Sequence, residues 1–68
     1  MTLTPRQIGM KLKALRTARR LSRYELARRA GISRVYVTKL EEGRSDPTVG
    51  MLSKLAKALG VPVTDLLG

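Results

Sequence analysis

The chain reads as all-α, five short helices around one core, and three observations predict this. No segment alternates apolar and polar residues in the manner of a half-buried strand, apolar residues recur three and four positions apart, and Ser, Thr, Gly and Pro stand where helices start and stop. With 68 residues the chain is expected to make a single domain spanning 1–68.

The first helix is predicted from about Pro5 to Arg19. Thr4 is its N-cap, and Pro5 occupies the first helical position, where a missing N–H costs nothing. Ile8, Leu12 and Leu15 form its inward stripe, with Leu21 packing in the turn that follows. The second helix starts at Ser22 with Glu25 three residues on, the spacing of a capping box, and turns Leu26, Ala27 and Ala30 inward before Gly31 ends it. The third is capped by Ser33 and ends at Gly43, with Val37 and Leu40 inward and Ile32 tucked in before it. Thr48 after Pro47 caps the fourth, whose stripe is Leu52, Leu55, Ala56 and Leu59. A short fifth helix, Val63–Leu67, follows Gly60 and Pro62. The linkers are short, as a compact bundle requires.

Composition excludes several classes. The chain has no Cys and no His, so neither disulfides nor the usual zinc ligands can brace it, and no metal site or cofactor is implied. No carboxylate pair sits in an evident pocket, which leaves no basis for an enzyme or a small-molecule ligand. No apolar run is long enough to span a bilayer, and the N-terminus lacks the layout of a secretory signal, so no membrane partner is expected.

The charge has a side. Of a net +9, residues 1–40 carry +10 and residues 41–68 carry −1. Such a field points to a polyanion, nucleic acid first and an anionic membrane surface second. The segment LSRYELARRAGISRVYVTKLEEG (residues 21–43) places two short helices about a glycine turn, a helix-turn-helix over about 22–42. The outer face of its second helix offers Arg34, Val35, Tyr36, Thr38 and Lys39. Arg34 and Lys39 can donate to guanine O6 and N7, Val35 can meet a thymine methyl, and Thr38 can bond a base or a phosphate.

The residues LS…ELARRAGIS…V..LEEG, then Pro47, Thr48, L..LAKALGV and DLL, resemble the Cro/C1-type (XRE-like) helix-turn-helix regulators of phages and bacteria. The resemblance covers about two thirds of the chain and implies a five-helix, lambda-repressor-like DNA-binding domain. On this basis the helix at about 34–42 is the recognition helix, and Arg34, Val35, Thr38 and Lys39 are its base-reading residues. Ser22, Arg23, Ser33, Tyr36 and Arg44 form the implied phosphate-binding set. Two positions depart from the family pattern. Arg23 stands where Gln is usual, so it would hold phosphate but repel Arg34, and Tyr36 replaces a small hydroxyl residue. In similar phage repressors an Arg in the first helix pairs with a Glu late in the third, and Arg16 and Glu41 match those positions. Gly50, in the first turn of the fourth helix, either admits a close neighbour or is tolerated there.

The reading that results is a sequence-specific double-stranded DNA-binding transcriptional regulator, a repressor in its simplest form, in a bacterial or phage-encoded cytoplasmic setting. Val63 and Leu67 are the candidate contact of a homodimer, and Leu66 is core. An antitoxin or restriction-controller protein would use the same DNA-binding mechanism. A non-specific nucleic-acid or RNA module is disfavoured because there is no Phe or Trp and only two Tyr for base stacking. A protein-interaction bundle would be insensitive to loss of Arg34 and Lys39.

Overall fold

Thr4, Ser22, Ser33 and Thr48 each turn a side-chain oxygen onto a backbone N–H three residues ahead, and each starts a helix. The computed structural model describes residues 3–67 and contains α1 (Pro5–Ala18), α2 (Arg23–Ala30), α3 (Arg34–Glu41), α4 (Val49–Leu59) and α5 (Thr64–Leu67), with no strand among them. Ser22 and Glu25 close the expected capping box. Thr4 closes a second with Gln7, whose Oε1 accepts from the Thr4 N–H at 2.8 Å. α1 packs on α3 and α5, and α2 packs on α3 and α4.

The core is aliphatic. Leu12, Leu26, Val37, Leu40, Leu55 and Leu66 are fully buried, joined by Ile8, Leu21, Ala27, Ala30, Leu52, Ala56 and Leu59. Leu15 and Ile32 sit at its edge. Three helices are shorter than the sequence suggests: α1 stops at Ala18, α3 at Glu41, and α5 begins at Thr64.

The first two of these boundaries have one cause. Each of α1 to α4 ends in a pair of tight backbone bonds that reverses the chain, and the helix proper stops short of it. In α1 the bonds are Arg20 N–H to Thr17 O (3.0 Å) and Leu21 N–H to Arg16 O (3.2 Å). In α3 they are Gly43 N–H to Leu40 O (3.1 Å) and Arg44 N–H to Lys39 O (2.9 Å). The residue at the bend adopts a left-handed conformation in every case.

One interhelical contact sets the position of α3. A methyl group on Gly9 would press on the backbone carbonyl oxygens of Leu40 and Glu41, the latter at 2.8 Å. Glycine therefore lets α1 lie directly against the C-terminal end of α3.

Candidate nucleic-acid interface

α2 and α3 are eight residues each, joined through Gly31 (φ 70°), Ile32 and the cap Ser33. Ala27 and Ala30, both buried, keep the inner face of α2 small, so α3 packs closely beneath it. The buried edge of α3 is Val37, Leu40 and Glu41. Val35 and Lys39 are exposed on its opposite side, Val35 at 65% despite its apolar side chain, and Arg34 is exposed at the first position of the helix, one turn before Val37. Two cations and a methyl-bearing side chain thus face solvent along α3, one of the cations at its start.

Two residues assigned to the exposed side of α3 are placed differently. Tyr36 is half-buried, its ring packed on the edge of the core, because a side chain one position before Val37 still borders the inward stripe. Thr38 is also half-buried, and its Oγ1 donates back to the Arg34 carbonyl at 3.2 Å.

Behind this exposed surface lies a charged knot that fixes α3 at its end. The Glu41 carboxylate, 1% exposed, accepts from Arg16 Nε (2.6 Å to Oε2) and from Arg16 Nη2 (3.1 Å to Oε1). Arg16 also donates through Nη1 to the Leu21 carbonyl at 2.8 Å, so one guanidinium ties α1, the turn before α2 and the last residue of α3 together. Arg23 adds a third donor, Nε to Glu41 Oε1 at 3.0 Å. Arg23 is therefore turned toward Glu41, and its side chain remains 35% exposed. The trio carries two positive charges and one negative, which leaves an excess cation at the first residue of α2. Sequence reasoning missed the Arg23–Glu41 contact and the role of Gly9. An isolated glycine inside the Ile8–Leu12 stripe was the available signal for the latter.

The remaining phosphate candidates lie at the ends of α2 and α3. Ser22 Oγ accepts from Glu25 N–H and Ser33 Oγ from Tyr36 N–H, both at 3.0 Å, which leaves the Ser33 hydroxyl proton free to donate. Arg44 is exposed and pairs with Glu42 through Nε at 2.9 Å. Glu25 is held below the usual carboxylate range, first by the Ser22 backbone N–H, then by the Ser22 hydroxyl, and further by Arg29 and Arg28. Among the described residues no cluster of His, Cys, Asp or Glu is arranged to hold a metal, and no helix is long and apolar enough to cross a membrane. At the chain's end Leu66 is fully buried, Val63 is half-buried, and Leu67 is 41% exposed.

Comparison with known proteins places this geometry in company. A family model described as helix-turn-helix matches residues 12–66. The immunity repressor protein of Bacillus phage phi105 is 36% identical over 61 residues, covering 90% of this chain and 42% of the repressor. The chain thus spans less than half of that relative's length. An uncharacterized HTH-type transcriptional regulator of Sinorhizobium fredii is 40% identical over 60 residues, covering 88% of this chain and 78% of that protein. Among solved structures, the restriction-modification controller protein C.AhdI from Aeromonas hydrophila superposes with a TM-score of 0.90 at 35% identity, covering 93% of this chain and 96% of that one.

Proposed function

The chain belongs to the helix-turn-helix family whose model it matches, and from that premise we propose that it is a sequence-specific double-stranded DNA-binding transcriptional regulator acting as a repressor. One observation carries the reading. α3 buries Val37, Leu40 and Glu41 and leaves Val35 and Lys39 on its open side and Arg34 at its start to solvent, as a helix laid in a major groove must. Arg34 and Lys39 read guanine edges, Val35 meets a thymine methyl, and Thr38 contributes its methyl and remaining acceptor. Ser22, Arg23, Ser33, Tyr36 and Arg44 hold the flanking phosphates, with the Arg16–Glu41 pair keeping α3 at a fixed angle to them. Repression follows from occupying a promoter, and the protein works in the cytoplasm on the nucleoid. No catalytic role, cofactor or small-molecule ligand enters this reading.

The active species is a homodimer joined through Val63 and Leu67, so that two copies of α3 meet half-sites roughly one helical turn apart. A second reading has its own support. The likeness to the Aeromonas hydrophila controller, at 35% identity over nearly its whole length, fits a restriction-controller role with the same DNA contacts.

Selection from a random duplex pool at physiological salt, followed by sequencing of the bound fraction, tests both. A two-fold symmetric motif establishes specific recognition by a dimer, and its genomic position beside restriction genes or elsewhere separates the two roles. Binding without enrichment would reduce the protein to a non-specific basic module and refute the proposal.

A further inference from the structure

We propose that Arg20 is a DNA-backbone contact, placed at the turn between α1 and α2 to hold a phosphodiester oxygen beside the N-terminal end of α2. This rests on the DNA-binding reading. α1 to α4 close with the same pair of backbone bonds, and in α2, α3 and α4 the left-handed residue is Gly31, Gly43 and Gly60, at φ 70°, 73° and 71°. In α1 it is Arg20, at φ 55°, the one non-glycine residue with positive φ among those described. An L-residue there crowds its Cβ against its own backbone, which glycine avoids.

No contact within the chain accounts for an arginine at this position. Arg20 is exposed, and among the described residues its side chain makes no hydrogen bond or salt bridge. The turn beneath it is firmly held, because Arg16 Nη1 grips the Leu21 carbonyl. Arg20 therefore projects from a fixed base two residues before Ser22, whose N–H is taken by the Glu25 carboxylate, and three before Arg23, which carries the excess cation of the Arg16–Glu41–Arg23 trio. A strained backbone that holds a side chain with no partner in its own chain indicates a partner outside it. Here that partner is anionic and borders α2, which fits a DNA strand.

The test compares wild type with Arg20→Gly, Arg20→Asn and the charge control Lys57→Gln, on α4 in the groove it forms with the end of α2. Thermal unfolding should show Arg20→Gly raising Tm by about 4–8 °C, since a local strain is relieved. Titration of a short mixed-sequence duplex from about 50 to 200 mM salt should show both Arg20 variants binding roughly tenfold more weakly at the low end. Their log–log salt slope should be shallower by about 0.9, one phosphate fewer, while Lys57→Gln keeps the wild-type slope. An unchanged slope in the Arg20 variants overturns the assignment, as does an equal change in Lys57→Gln, which would make the effect one of bulk charge. An unraised Tm removes the strain on which it stands. Wild type failing to bind duplex at all would overturn the DNA-binding reading itself and this inference with it.

Discussion

Arg16 Nε lies 2.6 Å from Glu41 Oε2, and this bond joins the first helix to the last residue of the helix that faces solvent with Arg34 and Lys39. Both side chains are withdrawn from water, yet their exposures differ from that of the third member: 10% for Arg16, 1% for Glu41 and 35% for Arg23. Burial of opposite charges adds little net stability, but removing one partner strands the other. Glu41→Ala strands Arg16 and releases Arg23, and should cost about 3–5 kcal/mol in urea unfolding. Arg16→Met leaves Glu41 with Arg23 and should cost less, and Arg23→Met, at a half-exposed site, least of all. A different order would show that the trio does not share its charge as the geometry implies.

The two glycines inside helices should respond oppositely to a methyl group. At Gly9 it meets the Leu40 and Glu41 carbonyls, so Gly9→Ala should destabilise by about 1–3 kcal/mol through overpacking and push α3 away from α1. At Gly50 it finds only Thr48 Oγ1, at 3.8 Å, so Gly50→Ala should stabilise by up to about 1 kcal/mol through helix propensity. Equilibrium unfolding of the two variants side by side checks both signs. Equal effects would mean that α1 and α3 are not in backbone contact.

These glycines mark how far local sequence reaches. The caps at Ser22, Ser33 and Thr48 are legible because a hydroxyl and the backbone N–H it serves lie within one turn of chain. The aliphatic stripes are legible because helical periodicity repeats within a dozen residues. Gly9 against Leu40 is a relationship between elements some thirty residues apart, and the glycine's place inside an apolar stripe hints at close packing without naming the neighbour. The inward turn of Arg23 depends on where Glu41 lands once α3 has packed, so a residue read as a free phosphate ligand also braces the scaffold. Arg20 escapes for the opposite reason: its left-handed backbone contradicts its own preference, and only the completed turn reveals it.

Acid should weaken the fold through Glu25. Its folded-state pKa lies below the unfolded value because the Ser22 N–H and hydroxyl bind the carboxylate. A depressed carboxylate contributes stability above its unfolded pKa, near 4.5, and that contribution is lost as pH falls through the folded value. Tm measured against pH should therefore show wild type exceeding Glu25→Gln at neutral pH and the two curves converging as pH falls below the unfolded value, near 4.5, and through the folded one. A gap that persists into acid would assign the cap to geometry rather than charge.

Leu67 stands 41% exposed beside half-buried Val63. If this patch joins two copies, Leu67→Asp should leave the helical content intact, since Leu67 lies outside the buried core. It should shift sedimentation equilibrium toward monomer and weaken binding to a two-fold site far more than to a single half-site. Unchanged association would move the dimer contact elsewhere.

The decisive residue for sequence reading is Arg34, exposed at the first position of α3. An arginine that bonds guanine O6 and N7 together discriminates one base pair, whereas one that bonds phosphate weakens all sequences alike. Arg34→Ala should therefore cost about 1–3 kcal/mol on the selected site and relax preference at a single position of each half-site, leaving the salt slope nearly unchanged. Arg44→Ala, just beyond the C-terminal end of α3 and paired with exposed Glu42, should weaken binding evenly across sequences and flatten the slope by about one. Measuring both variants against a panel of single-base-pair substitutions separates the two roles. Arg34→Ala behaving like Arg44→Ala would make Arg34 a phosphate anchor and pass base reading to Val35 and Lys39.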